Sequence, residues 1–415
     1  MHTADYDIAI VGGGLVGMSL AIALGQIEPA PRVILIEAHD YTRLPPASFD
    51  SRTIALSYSS RQIFDGLQLW PALNAKGVTP IETIHISDRG HPGMTRLRAS
   101  EQHVEALGYV VENRVLGEVL YARLQQLAHV TLYTRAELQD VSIQPERALL
   151  AGEQAGKPFS LTCRLLVAAD GTNSFVRQHL GVAQQHRDYR QSAVIANVAT
   201  DRPHHNIAYE RFTESGPMAL LPLKGVADAP HRYGLVWTVP QDRVEAVMQL
   251  DEQAFSAQLR RRFGVRAGNF LRIGQRHAYP LGLTQIREHV RARLAFIGNA
   301  AHTLHPVAGQ GFNLGLRDVA ALSQIIATAL AAQQDPGELQ QLQAYANWRR
   351  KDLLTTTLFT DGLVRIFSTD FLPLVLARNA GLLAMDLFAP LRKRLTRHAM
   401  GYIGRASLLA RGLRL

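Results

Sequence analysis

A single cysteine, Cys163, stands among 415 residues. That count excludes an intramolecular disulfide and any cysteine-rich zinc or iron–sulfur site, and it fits a reducing cytosol. With an ordinary thiol pKa of about 8.5, nothing marks Cys163 as a nucleophile. Asp5 and Asp7 sit where an export signal would carry Lys or Arg, so no such signal is expected. No uncharged apolar run approaches the roughly 20 residues that span a bilayer. Phe371 to Leu391 comes nearest, and Arg378, Asp386 and two prolines interrupt it. Internal repeats and low-complexity linkers are missing as well. At 47% hydrophobic and 19% charged, the composition is that of a folded globular chain rather than a disordered or collagenous one. Its length suits two or three domains of about 150 residues.

What the chain has is a strong beginning. Tyr6 to Val11 is a short β-prone run, Gly12-Gly13-Gly14-Leu15-Val16-Gly17 opens an apolar helical pattern through Leu24, and a second strand, Val33 to Ile36, ends in Glu37. That acid lies 20 residues past Gly17, the spacing of a dinucleotide-binding βαβ unit. Gly12 permits the tight turn, Gly14 lets backbone approach a pyrophosphate, Gly17 allows close helix packing, and Glu37 can accept from a ribose diol.

Further on, helical patterns cover Ser57 to Leu69 and Asn113 to Leu127, the second with Val115, Leu116, Val119, Leu120 and Leu124 on one face. Strand signals recur near Ile81 to Ser87, Val130 to Tyr133 and Leu165 to Ala169. From Ser192 to Val239 the β-branched and aromatic content rises, which predicts an antiparallel sheet inserted between halves of the nucleotide domain. Leu294 to Ile297 leads into a glycine-rich loop, after which the pattern is helical. His302 and His305 have HxxH spacing and His204 and His205 are adjacent, but no carboxylate or cysteine pattern supports them, so no metal is expected.

Two later segments decide the nucleotide. Leu165-Leu166-Val167-Ala168-Ala169-Asp170-Gly171 is a buried-type strand ending in an acid–glycine pair, and Gly298-Asn299-Ala300-Ala301-His302 leads through Pro306 to Gly309-Gln310-Gly311-Phe312-Asn313-Leu314-Gly315 and Arg317-Asp318. With the first glycine turn, these segments resemble the single-component FAD-dependent aromatic hydroxylases of the para-hydroxybenzoate hydroxylase type. The Gly309 to Gly315 run and Asp50 to Ser57 resemble the ubiquinone-biosynthesis hydroxylases within that group. The resemblance covers most of residues 5 to 350. It implies an α/β fold with a Rossmann-like FAD-binding domain (1–75, 105–185 and 280–340), an inserted, mainly antiparallel β-sheet substrate domain (76–104 and 186–279) and a helical, basic C-terminal region (341–415).

It also implies residue roles. Gly12, Gly14, Gly17 and Glu37 would hold the ADP half of FAD, Arg52 would lie over the pyrophosphate, and Asp170 and Gly171 would serve the pyrophosphate and ribose region. Asn113 would either face the cofactor or cap its helix. Asn299 departs from the family's usual aspartate, which bonds the ribityl hydroxyls, but its amide keeps an acceptor oxygen. Gly309, Gln310, Gly311 and Asn313 would form the flavin loop, and the Pro306 carbonyl would lie beside flavin and phenol. Apart from the resemblance, glycines 309, 311 and 315 leave room for a flat ring, and the amides of the following helix start suit negative charge on a reduced flavin. The Gly298-Asn299 pair and the glycine loop resemble most the 2-polyprenyl-6-methoxyphenol hydroxylase branch.

The implied activity is hydroxylation of that polyprenylated phenol by O2 in ubiquinone biosynthesis, through a flavin C4a-hydroperoxide shielded from water. Only one GxGxxG occurs, which fits NAD(P)H as a transient reductant. A sister ring hydroxylase, a soluble-phenol hydroxylase and a non-catalytic FAD-binding subunit of a biosynthetic complex remain open. No side chain stands out as the phenol's general base. Topology alone would place Arg211, Phe212, Met218 and Leu220 to Pro222 on the wall opposite the flavin.

Charge gives one more clue. Lys and Arg total 44 against 35 Asp and Glu, a net +9, and the stretch from Phe371 onward holds eight basic residues against Asp386 alone. Leu391, Leu395, Tyr402, Ala406 and Leu409 recur between those charges, a pattern compatible with an amphipathic helix on an anionic membrane surface or with a protein surface in a ubiquinone-biosynthesis complex. No nucleic-acid motif accompanies the charge. The expected location is cytoplasmic, with peripheral attachment to the inner membrane. Gly14→Val is expected to abolish flavin retention while leaving the chain at least partly folded, and a purified variant that is still yellow would contradict the cofactor assignment.

Overall fold

Tyr6–Val11 becomes the central strand of a parallel sheet because both of its faces are buried, which is why its sequence runs apolar without alternation. The computed structural model describes residues 4–41, 48–303, 310–367, 371–402 and 404–415. In space the parallel strands run Leu294–Phe296, Lys157–Ala168, Tyr6–Val11, Val33–Glu37 and Val130–Thr134. Successive side chains point to opposite faces. Ile8 and Ile10 therefore join a core with the helices Leu15–Leu24, Tyr58–Gly66, Asn113–Leu124 and Gln310–Ala331, while Ala9 and Val11 join a second core beneath the antiparallel strands Ala136–Ile143 and Ala148–Gln154. All five apolar residues that mark the Asn113–Leu124 helix are buried. Its N-cap is Glu112, with Asn113 as the first helical residue.

Among the described residues the second sheet has nine strands. Its main path runs His302–Thr303, His277–Ile286, Gln184–Thr200, Arg232–Pro240, Gly216–Leu223, Ile207–Thr213, Thr83–Asp88 and Met94–Arg98, with Phe270–Ile273 also paired to Gln184–Thr200. Every pairing is antiparallel except that of Ile207–Thr213 with Thr83–Asp88. A small sheet of Thr53–Ser57, Gly108–Glu112 and Thr79–Ile81 lies between the two. Polar bonds fasten it there: Asn197 Nδ2 donates to the carbonyls of Phe49 and Ser51, and Arg232 donates to Phe49 and Lys224 carbonyls and meets Glu112 at 3.4 Å.

The chain ends in the helices Leu339–Phe367, Leu372–Leu387 and Ala389–Ala399. One described helix, Gly311–Ala331, is long and apolar enough to cross a membrane, but 67% of it is buried inside the protein. The expected amphipathic helix through Leu409 does not form. Helix ends at Ala399, Gly401 and Gly404 adopt φ of +83° and +67°, and Leu409 returns fully buried to the main core. Two of the basic residues are also committed: Arg392 pairs with Glu101 at 2.8 Å, and Arg378 pairs with Asp88 at 2.8 Å with both side chains almost wholly buried. The exposed side chains of this region include large apolar ones as well as Lys393, Arg394 and Arg397. Phe371, Leu372, Leu376, Leu387, Phe388 and Leu391 are each more than half exposed.

Asp88 also accepts from Asn379 Nδ2, so one carboxylate on the inserted sheet anchors the C-terminal helices. Arg378→Ala would strand that carboxylate, at a cost of about 3–5 kcal/mol. A urea titration should show the loss, and a wild-type midpoint would contradict the anchoring role.

Candidate active site

The glycine turn closes because its glycines have no side chains. Gly12 sits at φ +99°, and a Cβ there would lie 2.5 Å from the Ala169 carbonyl oxygen; a Cβ on Gly17 would collide with the Gly12 carbonyl. Gly14 is different. Nothing lies within 4 Å of where its Cβ would be, and it caps the Leu15–Leu24 helix with no side-chain bond and no acid in the first turn. The helix start is thus an open, positively polarised cradle. Glu37 fastens the turn: its Oε2 accepts from the Gly13 amide at 2.6 Å, and its Oε1 accepts from the His39 amide at 2.8 Å. Tyr41, which sequence reasoning passed over, donates its hydroxyl to the Gly13 carbonyl.

The second motif abuts the first through Ala169. Asp170 Oδ2 accepts from the Val176 amide at 3.1 Å, but Oδ1 is buried with no partner among the described residues, and burial raises the carboxyl's pKa. Gly171, at φ +82°, has open space beside it. Arg177 then ties this motif to the third, donating to the carbonyls of Thr172 and Ala300. Asn113 likewise has a buried Oδ1 with no partner among the described residues, and its backbone N–H donates to the Arg52 carbonyl at 2.9 Å. The Arg52 guanidinium is exposed and reaches the Tyr279 hydroxyl at 3.4 Å, with no bond to the glycine turn.

In the third motif, Gly298 adopts φ +58°, and Val16 of the first glycine turn packs against both Gly298 and Gly315. Asn299 is exposed at the edge of a cavity that Gly311 and Asn313 also line. The Asn313 amide is engaged by protein: Oδ1 accepts from the Ser57 amide at 2.8 Å and the Ser60 hydroxyl at 2.6 Å, and Nδ2 donates to Ala55. Gln310 begins the Gln310–Ala331 helix. Pro306, Gly309 and His305 lie outside the described residues. His302 Nε2 lies 2.7 Å from Asp318 Oδ2.

Asp318, quoted in the motif yet given no role, is the hub of this region. It is buried and meets His302, the Gly298 amide at 3.0 Å and Arg349 Nε at 2.7 Å. Burial pushes its pKa up, but His302 and Arg349 more than offset that and hold the carboxyl far below the usual range. Arg349 also pairs with Asp352, which Arg317 approaches at 3.2 Å. By contrast Cys163 is inert, its thiol pushed up to about 12 by burial.

The cavity, about 350 Å³ in volume, separates the motif residues from the inserted sheet. Thr53 to Ser57, Asn299, Thr303 and Gly311 to Asn313 line one side, and Ile195, Ala208, Glu210, Ala219, Leu221 and Val236 line the other. Of the expected wall, only Leu221 is present. Met218 and Leu220 face the opposite core, Arg211 bonds Ser87 and the Arg262 carbonyl, and Phe212 packs on Leu382 past the cavity. A placement by topology carries no register, and one residue along a strand reverses its face. The structure instead shows Glu210, whose carboxyl has no partner among the described residues and is pushed up to about 7 by burial alone.

A family profile described as an FAD binding domain matches residues 5–356. The ubiquinone hydroxylase UbiL of Rhodospirillum rubrum is 38% identical over 397 residues, covering 95% of this chain and 89% of that protein. The 3-demethoxyubiquinol 3-hydroxylase of Escherichia coli is 31% identical, covering 97% of this chain and all of the other. Among solved structures, p-nitrophenol 4-monooxygenase PnpA from Pseudomonas putida has a TM-score of 0.80 at 18% identity, covering 96% and 98% of the two chains, which is a likeness of fold. The chain belongs to the FAD-binding-domain family and is an FAD-dependent aromatic monooxygenase. Within that class it groups with the ubiquinone hydroxylases. The orphaned oxygens of Asp170 and Asn113 and the open space at Gly14 fit the cofactor.

Asp318→Asn would leave Arg349 buried without its main counter-charge, and a loss of about 3–5 kcal/mol is expected. Because the native pKa is depressed below 3.8, the wild-type contribution is full above that pH and is lost as pH falls through the native value. Unfolding of wild type and variant from pH 7 down to 3 tests this, and equal stabilities throughout would contradict it.

Proposed function

We propose that this protein hydroxylates a polyprenylated phenol in ubiquinone biosynthesis, with 2-polyprenyl-6-methoxyphenol as its substrate. The observation that carries this reading is the largely apolar cavity between the glycine-motif residues and the inserted sheet. FAD, reduced by NAD(P)H, supplies the chemistry there: it activates O2, one atom of which enters the ring while the other leaves as water. In this reading the open helix start at Gly14 receives the pyrophosphate, with Gly12 and Gly17 keeping the turn tight. Asp170 and Asn113 offer their unpartnered oxygens to cofactor hydroxyls, and Asn299 offers its amide in place of a carboxylate. Glu37 and Gly171 flank the same cradle, and the role of Arg52 over the pyrophosphate rests on the resemblance. Gly311 leaves space where a planar ring would lie, Asn313 holds the helix start against Ala55 and Ser57, and Gln310 opens that helix. The roles of Pro306 and Gly309 rest on the resemblance alone. Apolar walls from Ile195, Ala219, Leu221 and Val236 exclude water from the oxygen transfer and suit the ring and first prenyl unit.

The substrate's tail favours a peripheral position on an anionic inner-membrane surface. Exposed Leu387, Phe388 and Leu391 adjoin Lys393, Arg394 and Arg397 on the C-terminal helices, a combination that suits the lipid interface.

Holoenzyme given a short-chain 2-prenyl-6-methoxyphenol should oxidise NAD(P)H faster and yield a product with one added oxygen atom. FAD-bound protein whose NAD(P)H oxidation ignores the phenol would favour a non-catalytic binding subunit instead.

A further inference from the structure

We propose that Glu210 is the general base that removes the phenolic proton as the ring is hydroxylated, an assignment that rests on the phenol-hydroxylase reading above. An aromatic ring attacks an electrophilic oxygen fastest as its phenolate, so a site that hydroxylates a phenol gains from a proton acceptor beside the hydroxyl. The strand register supplies one. Glu210 pairs with Ala219, Ala219 with Val236, and Val236 with Ile195, so these four residues form one row across the inserted sheet. All four line the cavity, opposite Asn299 and Gly311.

Among the described residues of the lining, no other group competes for the role. Tyr209 is the one other titratable residue there, and its ring packs among Tyr233, Phe263 and His85 on the far side of the sheet. Charged groups on the neighbouring elements are engaged elsewhere. Arg211 bonds Ser87 and Arg262, Asp88 is held by Arg378, and His398, next to the lining residue Ala399, packs on Phe359. Burial is therefore the sole cause that places the Glu210 carboxyl at about 7. A carboxylate with that affinity for protons is a stronger base than an exposed glutamate and is still substantially ionised at neutral pH.

The proton balance is simple. The phenol O–H bond breaks, its proton passes to a Glu210 carboxylate oxygen, and the electron pair flows into the ring as the new C–O bond forms with one oxygen of the O2 that the reduced flavin would activate; the O–O bond breaks, and the other oxygen leaves as water after taking up the proton that the ring carbon loses. The ring carbon then loses its hydrogen as a proton and aromaticity returns. Glu210 gives its proton back to a phenolate oxygen of the product. O2 is the oxidant and NAD(P)H the reductant, as in the class as a whole.

Glu210→Gln keeps the shape and removes the base. The variant should remain yellow and accept electrons from NAD(P)H at the wild-type rate, but hydroxylate 2-methoxy-6-prenylphenol about 100-fold more slowly, with the reduced oxygen appearing as hydrogen peroxide. The wild-type hydroxylation rate should rise with pH through about 7 as Glu210 ionises, and that limb should be missing in Glu210→Gln. Phenols acidified by electron-withdrawing ring substituents, already ionised at the assay pH, should restore the variant. Glu210→Gln with wild-type rate and pH limb would overturn the assignment, as would a loss that ionised phenols do not repair, because that marks a structural role. Should FAD-loaded wild type hydroxylate no phenol, the substrate reading falls and the base assignment with it; an active wild type matched by its variant overturns the base assignment alone.

Discussion

A carboxylate stripped of water governs how this molecule is put together. Asp318 meets His302, Arg349 and the Gly298 amide, and each belongs to a different piece of the site: the edge strand His302–Thr303 of the second sheet, the Leu339–Phe367 helix and the turn that carries Asn299. A buried ion pair of this kind is weak evidence for net stability, since desolvation consumes much of the attraction. Its consequence is positional. Gly298 cannot move without abandoning a bond to a buried charge, so the edge of the cavity is fixed relative to the helix that begins at Gln310.

From that hub the remaining motifs are joined by approaches that only small residues allow. Val16 packs on Gly298 and Gly315, Gly12 lies against Ala169, and Arg177 bridges Thr172 and Ala300. Three stretches spread over some 300 residues are thereby drawn to one end of the parallel sheet, the end at which ligands bind in open α/β sheets. The inserted sheet then closes the space with a row of apolar side chains and one carboxylate.

The parts of this arrangement written in local patterns were legible beforehand. The glycine turn, the two-faced apolar strands and the Asn113–Leu124 helix each follow from spacing within a dozen residues. The parts set by partners far away in sequence were not. Asp88 meets Arg378 across 290 positions, and neither residue carries a local sign of it. Asp318 lay inside a recognised motif, yet its partner Arg349 sits one helix later and looks like an ordinary surface charge. The cavity wall failed for another reason: alternation predicts two faces for the Gly216–Leu223 strand and says nothing about which one meets the ligand, so Ala219 and Glu210 were passed over for Met218 and Arg211. In the tail, apolar spacing continued past Ala399 while Gly401 and Gly404 turned the backbone out of the helix.

The central claim is that these three motifs form one FAD site facing an apolar cavity. Titrating the purified chain with FAD while recording the flavin absorption and fluorescence tests it most directly. The account predicts saturable binding at one FAD per chain, with flavin bands shifted by an apolar, water-poor surrounding and perturbed again when a short-chain 2-prenyl-6-methoxyphenol is added. Flavin spectra that stay those of free FAD at every protein concentration would contradict it.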